Sequence, residues 1–320
     1  MVILGSSDTG AVKYLLNLNK FLKNKVWVLE DKKKLLIKNI PYLSLRDAKK
    51  IKKIKLIITG SAIGNSIDKK LISLGRKRKI FTISIIEHWT NYYSRFVYKN
   101  KIFLPDLIFV NDLIAYKDAI KAGIPKQKLL VMGNVHFESL SKFNLKKKLS
   151  PWAQKIKNQN KKIIFFLSEE ILKHQKYLIK EYKTDEFQTI KNIITAMSEN
   201  DILVIKCHPE EKVKKFKRFA NKNIIIKNKV TFSDIVNLPD FIIGIKSIIL
   251  LELSIFRKDI ISYRPLSDSQ YIGDKIKCTK LVRSNLKKIL NKKFNDNILF
   301  KNYFNGSAKK IKTYLEKKLI

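Results

Sequence analysis

Between residues 202 and 265, three short apolar runs (202–207, 241–243 and 259–263) each give way at once to polar or glycine-containing residues. Lys206, His208 and Pro209 stand at the end of the first run, and Gly244, Lys246 and Ser247 follow the second. Glu252 lies on the helix expected between the second and third. In an open parallel α/β sheet, ligands bind outside the carboxyl ends of the strands. These polar residues fall where that rule puts a ligand, so a phosphate or nucleotide site is expected here.

The amino-terminal half repeats the arrangement. An apolar run at 2–4 leads into Gly5-Ser6-Ser7-Asp8-Thr9-Gly10, then into a helical pattern with Leu15, Leu18 and Leu22 at helix spacing. The loop has neither the Lys-Ser/Thr ending of a P-loop nor the GxGxxG spacing. Its small residues serve either a close approach to a ligand or a plain turn. Further strands are expected over 26–30, 55–62, 80–86, 106–112 and 129–137, with a helix over 68–74. Gly60-Ser61 and Gly133-Asn134 repeat the loop chemistry. The strand at 80–86 runs into Glu87-His88-Trp89, either a site or a packed indole beside a hydrogen-bonded imidazole.

Residues 141–160 are polar, basic and broken by Pro151, as a linker would be. A second series begins at 162–170, with Ser168 past its apolar part, and passes through 223–227. It ends in a basic helix from Ser307 with Ile311, Tyr314, Leu315 and Leu319 as its apolar stripe. Strands alternating with helices argue for a doubly wound parallel sheet. The expected domains are 1–145, a linker at 146–160, 161–305, and a closing helix at 306–320.

At 320 residues the chain suits two domains of roughly 150 residues each. Its 45% hydrophobic and 29% charged residues exclude wholesale disorder. No apolar run approaches the roughly 20 residues of a membrane span, and the amino terminus does not read as a signal peptide. Cys207 and Cys278 form no CxxC pair, so neither a disulfide nor zinc is expected, and a cytoplasmic location fits. The net charge of +40 invites a nucleic-acid partner. However, only eight of the 67 basic residues are arginine, and the lysines are scattered among isoleucine and asparagine. They read as solvated surface from a biased composition. Peripheral contact with anionic lipid at the inner face of a membrane is the weaker functional alternative, and no specific nucleic acid is expected.

His208 at a strand end suits a charge-assisted hydrogen bond to phosphate, or else caps the next helix. Ser247 is an N-cap candidate whose helix start presents free amides to an anion. Glu252 suits two ribose hydroxyls, or else a salt bridge to Arg257 or Arg264. HPEE after a strand, then G-x-K-S and LLEL before a strand ending in RP, resembles GT-B enzymes of bacterial surface-polysaccharide synthesis. The resemblance is to capsule polysialyltransferase-like and CDP-glycerol glycerophosphotransferase-like proteins, and more distantly to UDP-N-acetylglucosamine 2-epimerase.

That resemblance implies an α/β fold of two Rossmann-like domains facing a cleft. The first would supply the acceptor side and catalytic base, the second the nucleotide-sugar donor site. It gives His208 with Pro209, and Ser247, to the donor phosphates and Glu252 to the ribose. Lys206 and Lys246 add positive charge there. The chain has no Asp-x-Asp, so metal-independent transfer to a glycan or lipid-linked acceptor is expected; unlike polysialyltransferases it lacks an acidic-acidic-glycine motif, which leaves the catalytic base open. The nucleotide sugar would be a substrate, with no cofactor. Candidates for the general base are Glu87, then Asp8, then His88, with Gly5, Ser6, Gly60, Ser61, Asn134, Ser168 and Gly244 lining the cleft. The alternatives are a UDP-sugar 2-epimerase-like enzyme and a basic nucleic-acid or membrane-binding protein.

Overall fold

The structure, a computed structural model, describes residues 1–29, 40–145, 148–174, 183–257, 259–266, 271–292 and 300–319. Glu30 at the end of one expected strand, the basic segment after it, and part of the Ser/Asp-rich stretch after Pro265 lie outside the described residues. The chain divides into two compact units, Met1–Leu140 with Asn302–Ile320, and Ser141–Lys301.

The first unit is built on a seven-stranded sheet. Its strands are β1 (Val2–Gly5), β2 (Lys25–Val28), β3 (Tyr42–Leu43), β4 (Leu56–Thr59), β5 (Phe81–Ile86), β8 (Leu107–Val110) and β9 (Leu129–Val131). The order is β3-β2-β1-β4-β5-β8-β9 and every pairing is parallel. A two-stranded antiparallel ribbon, β6 (Val97–Tyr98) with β7 (Lys101–Ile102), branches from the segment between β5 and β8. β1 and β4 are buried along their whole length, which is why they read as continuous apolar runs without alternation.

The second unit repeats the plan in six strands: β10 (Ile163–Leu167), β11 (Ile202–Lys206), β12 (Ile224–Lys227), β13 (Phe241–Gly244), β14 (Ile260–Tyr263) and β15 (Lys280–Val282). Their order is β12-β11-β10-β13-β14-β15, again all parallel. Each sheet reverses its winding direction once, between β1 and β4 and between β10 and β13. The loops after those strands flank a topological switch point, where such sheets take ligands. Both units are therefore Rossmann-like, as expected.

Three elements differ from expectation. Residues 129–137 are not one strand: β9 ends at Val131 and Val135–Ser141 is helical. Gly133 turns the chain at φ 84°, and the Asn134 side chain then accepts the amides of His136 and Phe137 at 3.0 and 3.2 Å, which starts a helix. The charged segment after His208 forms a 3₁₀ stretch, Val213–Phe219. The last helix, Ser307–Leu319, belongs to the first unit, where Ile311 and Leu315 pack in one core with Leu15, Leu18 and Phe109. Glu138 receives the amide of Ala308 at 2.6 Å, placing a carboxylate at that helix's start. Among the described residues no helix is long and apolar enough to cross a membrane.

Candidate functional site

In the first unit the loop after β1 begins the helix Thr9–Asn19. Asp8 is its N-cap, accepting the Gly10 amide at 2.7 Å, while the Asp8 amide donates to Ser6 Oγ at 3.0 Å. The loop is tied across the switch point to the helix Ile67–Arg78, since Asp68 accepts the Ser7 amide at 2.9 Å and Ser7 Oγ accepts the Ile67 amide at 2.9 Å. Gly60 is required by close approach: a Cβ there would collide with Ser6 Oγ and lie 2.8 Å from Asp68 Oδ1. A Cβ on Gly5 would likewise lie 2.5 Å from Val28 O.

β5 delivers Glu87 and His88 to the same place. Asp8, Glu87 and His88 present donor atoms that all lie within 4.8 Å of one another, with His88 Nε2 3.5 Å from Glu87 Oε1. They form the one group among the described residues geometrically able to share a cation. The positive charge of Arg95, felt by both carboxylates, opposes that use. Glu87 is 4% exposed and neither of its carboxyl oxygens has a hydrogen-bond partner. Ser61 Oγ and Asp68 Oδ1 are likewise buried and unpartnered. Buried polar atoms without partners are rare in folded proteins, and here they gather at the carboxyl ends of β4 and β5 and the neighbouring helix start. Asn134 stands one step away: its amide donates to Asn111 Oδ1 at 3.1 Å, and Asn111 donates to the Glu87 carbonyl at 2.9 Å. Trp89 is packed, its Nε1 donating to Asp112 at 2.7 Å.

The acids here are driven apart electrostatically. Burial, and then the negative charge of Asp8, push the Glu87 carboxyl up to about 8. Burial also works against ionising Asp8, but His88, Arg95 and the amides of Gly10 and Ala11 outweigh it and hold its carboxyl below the usual range. Burial raises Asp68. Near neutral pH the group thus holds an ionised Asp8 beside a Glu87 that keeps its proton, the environment-set division that lets one pair of acids both give and take a proton.

In the second unit Lys206, His208, Gly244, Lys246, Ser247 and Ser168 all stand at the ends of β10, β11 and β13, as expected, and Glu252 is buried on the helix Ile248–Ser254. Pro209 follows His208 and is exposed. Their bonding differs from the expectation. The amides of Ile245, Lys246 and Ser247 all donate to one oxygen of Glu169, at 2.8, 2.8 and 3.0 Å. The turn expected to receive a phosphate is therefore filled by the chain's own carboxylate. Ser247 occupies the N-cap position but makes no side-chain cap. His208 Nδ1 accepts the Glu210 amide at 3.3 Å, and Lys206 Nζ donates to the Cys207 carbonyl at 2.8 Å. Burial lowers both side chains' affinity for a proton. Arg257 pairs with Asp259 and Arg264 with Asp274.

Four residues that sequence reasoning passed over organise these sites: Asp68, Arg95, Glu169 and Glu211. Glu211 accepts from Ser168 Oγ at 3.1 Å, the His208 amide at 2.7 Å and Lys215 at 2.5 Å. The second glutamate of HPEE is thus a structural hub. A sequence signal existed for Glu169, an acid directly after the buried run of β10, but its partner amides lie 76 to 78 residues away.

No protein-family model matches the chain, and no curated protein matches it in sequence. Solved structures do match. UDP-GlcNAc 2-epimerase from Neisseria meningitidis, bound to UDP-GlcNAc, is 14% identical with a TM-score of 0.67, covering 99% of each chain. The enzyme from Rickettsia bellii gives 14% and 0.67 over 99% of this chain and 96% of its own. The Methanocaldococcus jannaschii enzyme in complex with UDP-GlcNAc and UDP gives 17% and 0.64 over 99% and 98%. These full-length matches are 2-epimerases, which corrects the expectation of glycosyl transfer to a glycan acceptor. At such identities the likeness establishes the fold: two Rossmann-like units of the GT-B type that these epimerases share with glycosyltransferases.

Proposed function

We propose that the chain is an enzyme acting on a nucleotide-linked sugar, by class a UDP-sugar 2-epimerase, with Asp8, Glu87 and His88 moving the proton. The observation that carries this reading is Glu87, a buried carboxyl raised to about 8 and set within reach of His88 and an ionised Asp8. C2 of such a sugar can be inverted by removing its proton while the electron pair forms a C1–C2 double bond and the C1–O bond to UDP breaks, then returning the proton to the opposite face as UDP re-adds at C1. Groups that exchange protons near neutrality serve that need. The fold likeness to proteins whose structures hold UDP-GlcNAc supports the substrate class.

In the second unit Lys206 and His208 are proposed to meet the phosphates, since the Glu210 amide occupies His208 Nδ1 and leaves Nε2 for a phosphate oxygen. Glu252 is proposed for the ribose. Supply of a sugar for surface-glycan assembly belongs to the same proposal and is supported by the resemblance of HPEE and LLEL to enzymes of that synthesis.

The test is incubation with UDP-GlcNAc in deuterated water with no acceptor, followed by proton NMR. The expected result is the 2-epimer with deuterium at C2. UDP-GlcNAc and other UDP-N-acetylhexosamines surviving unconverted and unlabelled would overturn the reading.

A further inference from the structure

The lysines are scattered along the sequence, but the fold gathers many of the first unit's at one end of its sheet. All seven strands run parallel, so the segments that enter them share the face opposite the acid group. Contacts tie those segments into one surface. Arg78 Nη2 donates to the Lys52 carbonyl at 2.9 Å, joining the entries to β5 and β4. Lys55 Nζ donates to the Leu319 carbonyl at 3.2 Å, and Lys318 Nζ lies 3.8 Å from the centre of the Phe81 ring, which brings in the end of the closing helix. Arg76 donates to the Leu104 carbonyl at 3.4 Å and Lys128 to the Pro105 carbonyl at 2.6 Å, adding the entries to β8 and β9. Each of these partners is a neutral carbonyl or ring. Among the described residues none of the six cations has a carboxylate within ion-pair distance. Asp47 and Glu316 close by are paired with Lys50 at 3.1 Å and Lys312 at 3.7 Å, and Asp106 accepts the Thr82 amide and hydroxyl. Basic residues at a helix's carboxyl end complement its dipole, which accounts for Arg76 and Arg78 but not for Lys55 and Lys128, which directly precede strands. The other ends of β1, β5 and β8 lead instead to Asp8, Glu87 and Asp112.

We propose that this face docks the protein on an anionic lipid bilayer, held by attraction between its lysines and the headgroups with no inserted segment. Charge complementarity carries the choice of partner: like charges gathered on one face repel one another until an opposite charge meets them. Each lysine near such a bilayer tightens binding about fivefold. The apolar side chains on the face, Ile54, Ile80, Phe81 and Leu319, are half-buried against the unit's own cores, so the contact is electrostatic. A single small anion fits less well, because the cations sit on separate loops. A cavity of about 310 Å³ between Arg76, Lys79 and Leu104 also holds the Asp106 carboxylate. Nucleic acid fits less well too. Lysine point charges outnumber arginine forks here, and Phe81 lies under Lys318 as Phe21 lies under Lys20 at 5.2 Å, which leaves neither ring bare for base stacking. Docked this way, the acid group at the opposite ends of the same strands points away from the bilayer and stays open to a soluble nucleotide sugar. Docking does not depend on which reaction that group performs.

The experiment is co-sedimentation of the full chain with phosphatidylcholine vesicles, with or without one-third phosphatidylglycerol, at low and at near-molar salt. Two fourfold variants are compared with the wild type. Lys52→Glu, Lys53→Glu, Lys77→Glu and Lys79→Glu together reverse the face. Lys212→Glu, Lys214→Glu, Lys217→Glu and Lys222→Glu make the same change of net charge on the second unit, and all eight side chains are exposed. The wild type should sediment with the anionic vesicles alone, and near-molar salt should release it. The first variant should bind at least about a hundredfold more weakly, while the second stays close to the wild type. Should the reversed face not fold, glutamine at the same four positions decides, with an expected loss of at least about tenfold. Failure of the wild type to bind anionic vesicles, or equal binding to neutral ones, overturns the proposal. Equal losses in the two variants do so as well, since they would mark total charge and not this face. Polyuridylate that binds the wild type more tightly than the vesicles and displaces it from them would assign the face to nucleic acid instead.

Discussion

Asp8 and Glu87 arrive from different strands, β1 and β5, and bring carboxylate oxygens within 4.8 Å of each other. Asp8 has a second task as the N-cap of the helix Thr9–Asn19. Asp8→Asn separates the two roles, because asparagine caps about as well as aspartate but carries no charge. Stability should change by less than about 1 kcal/mol. Glu87 should titrate below its raised value of about 8, since the Asp8 charge that helps burial hold it up has gone. Carboxyl carbon-13 NMR reads this directly.

The same pair makes stability depend on pH. A glutamate free of the fold titrates near 4.5, whereas Glu87 holds its proton to about 8. Between those values the native state binds more protons than the unfolded state, so stability falls as pH rises. Each pH unit of difference is worth about 1.4 kcal/mol, and the decline from pH 4.5 to 8 is on the order of 4 kcal/mol. Glu87→Gln should remove this slope and be more stable than the wild type at pH 8.5. Urea unfolding at pH 5 and 8.5 measures both; equal slopes in the two proteins would contradict the assignment.

Glu169 supplies one oxygen to three successive amides. Glu169→Ala leaves those donors without an acceptor and should cost about 2–3 kcal/mol in urea unfolding. Glu169→Gln keeps a carbonyl oxygen there and removes a charge that burial disfavours, so its cost should stay below about 1 kcal/mol. A large loss in the Gln variant would show that the charge itself is needed.

The closing helix should be indispensable to the first unit. Ile311 is fully buried, in the core that also holds Leu15 and Phe109. Ile311→Ala should cost about 2–4 kcal/mol from lost burial and the cavity left behind. An exposed change on the same helix, Lys312→Ala, should cost less than about 0.5 kcal/mol. Thermal or urea unfolding of the two variants tests the contrast.

Much of this could be read from local pattern. Apolar runs such as VILG, LIIT and IIFFL cannot sit at a surface, and small or polar residues immediately after them mark where each buried strand must end. That is enough to locate two parallel sheets and the ends that carry Asp8, Glu87, Lys206 and His208. What local pattern could not supply is which groups satisfy one another. Asp68 reads as an ordinary first-turn helix acid, Arg95 as one basic residue among many, and Glu169 as a loop acid. Each gains its meaning from a partner 34 to 78 residues away. Ser307–Leu319 is plainly an amphipathic helix from its spacing, but the core that accepts its stripe was chosen by packing. Chain order determines the strands and their polar ends. Only the folded chain decides which amides a carboxylate fills and which charges face each other, because burial and proximity create those energies and neither exists in the unfolded sequence.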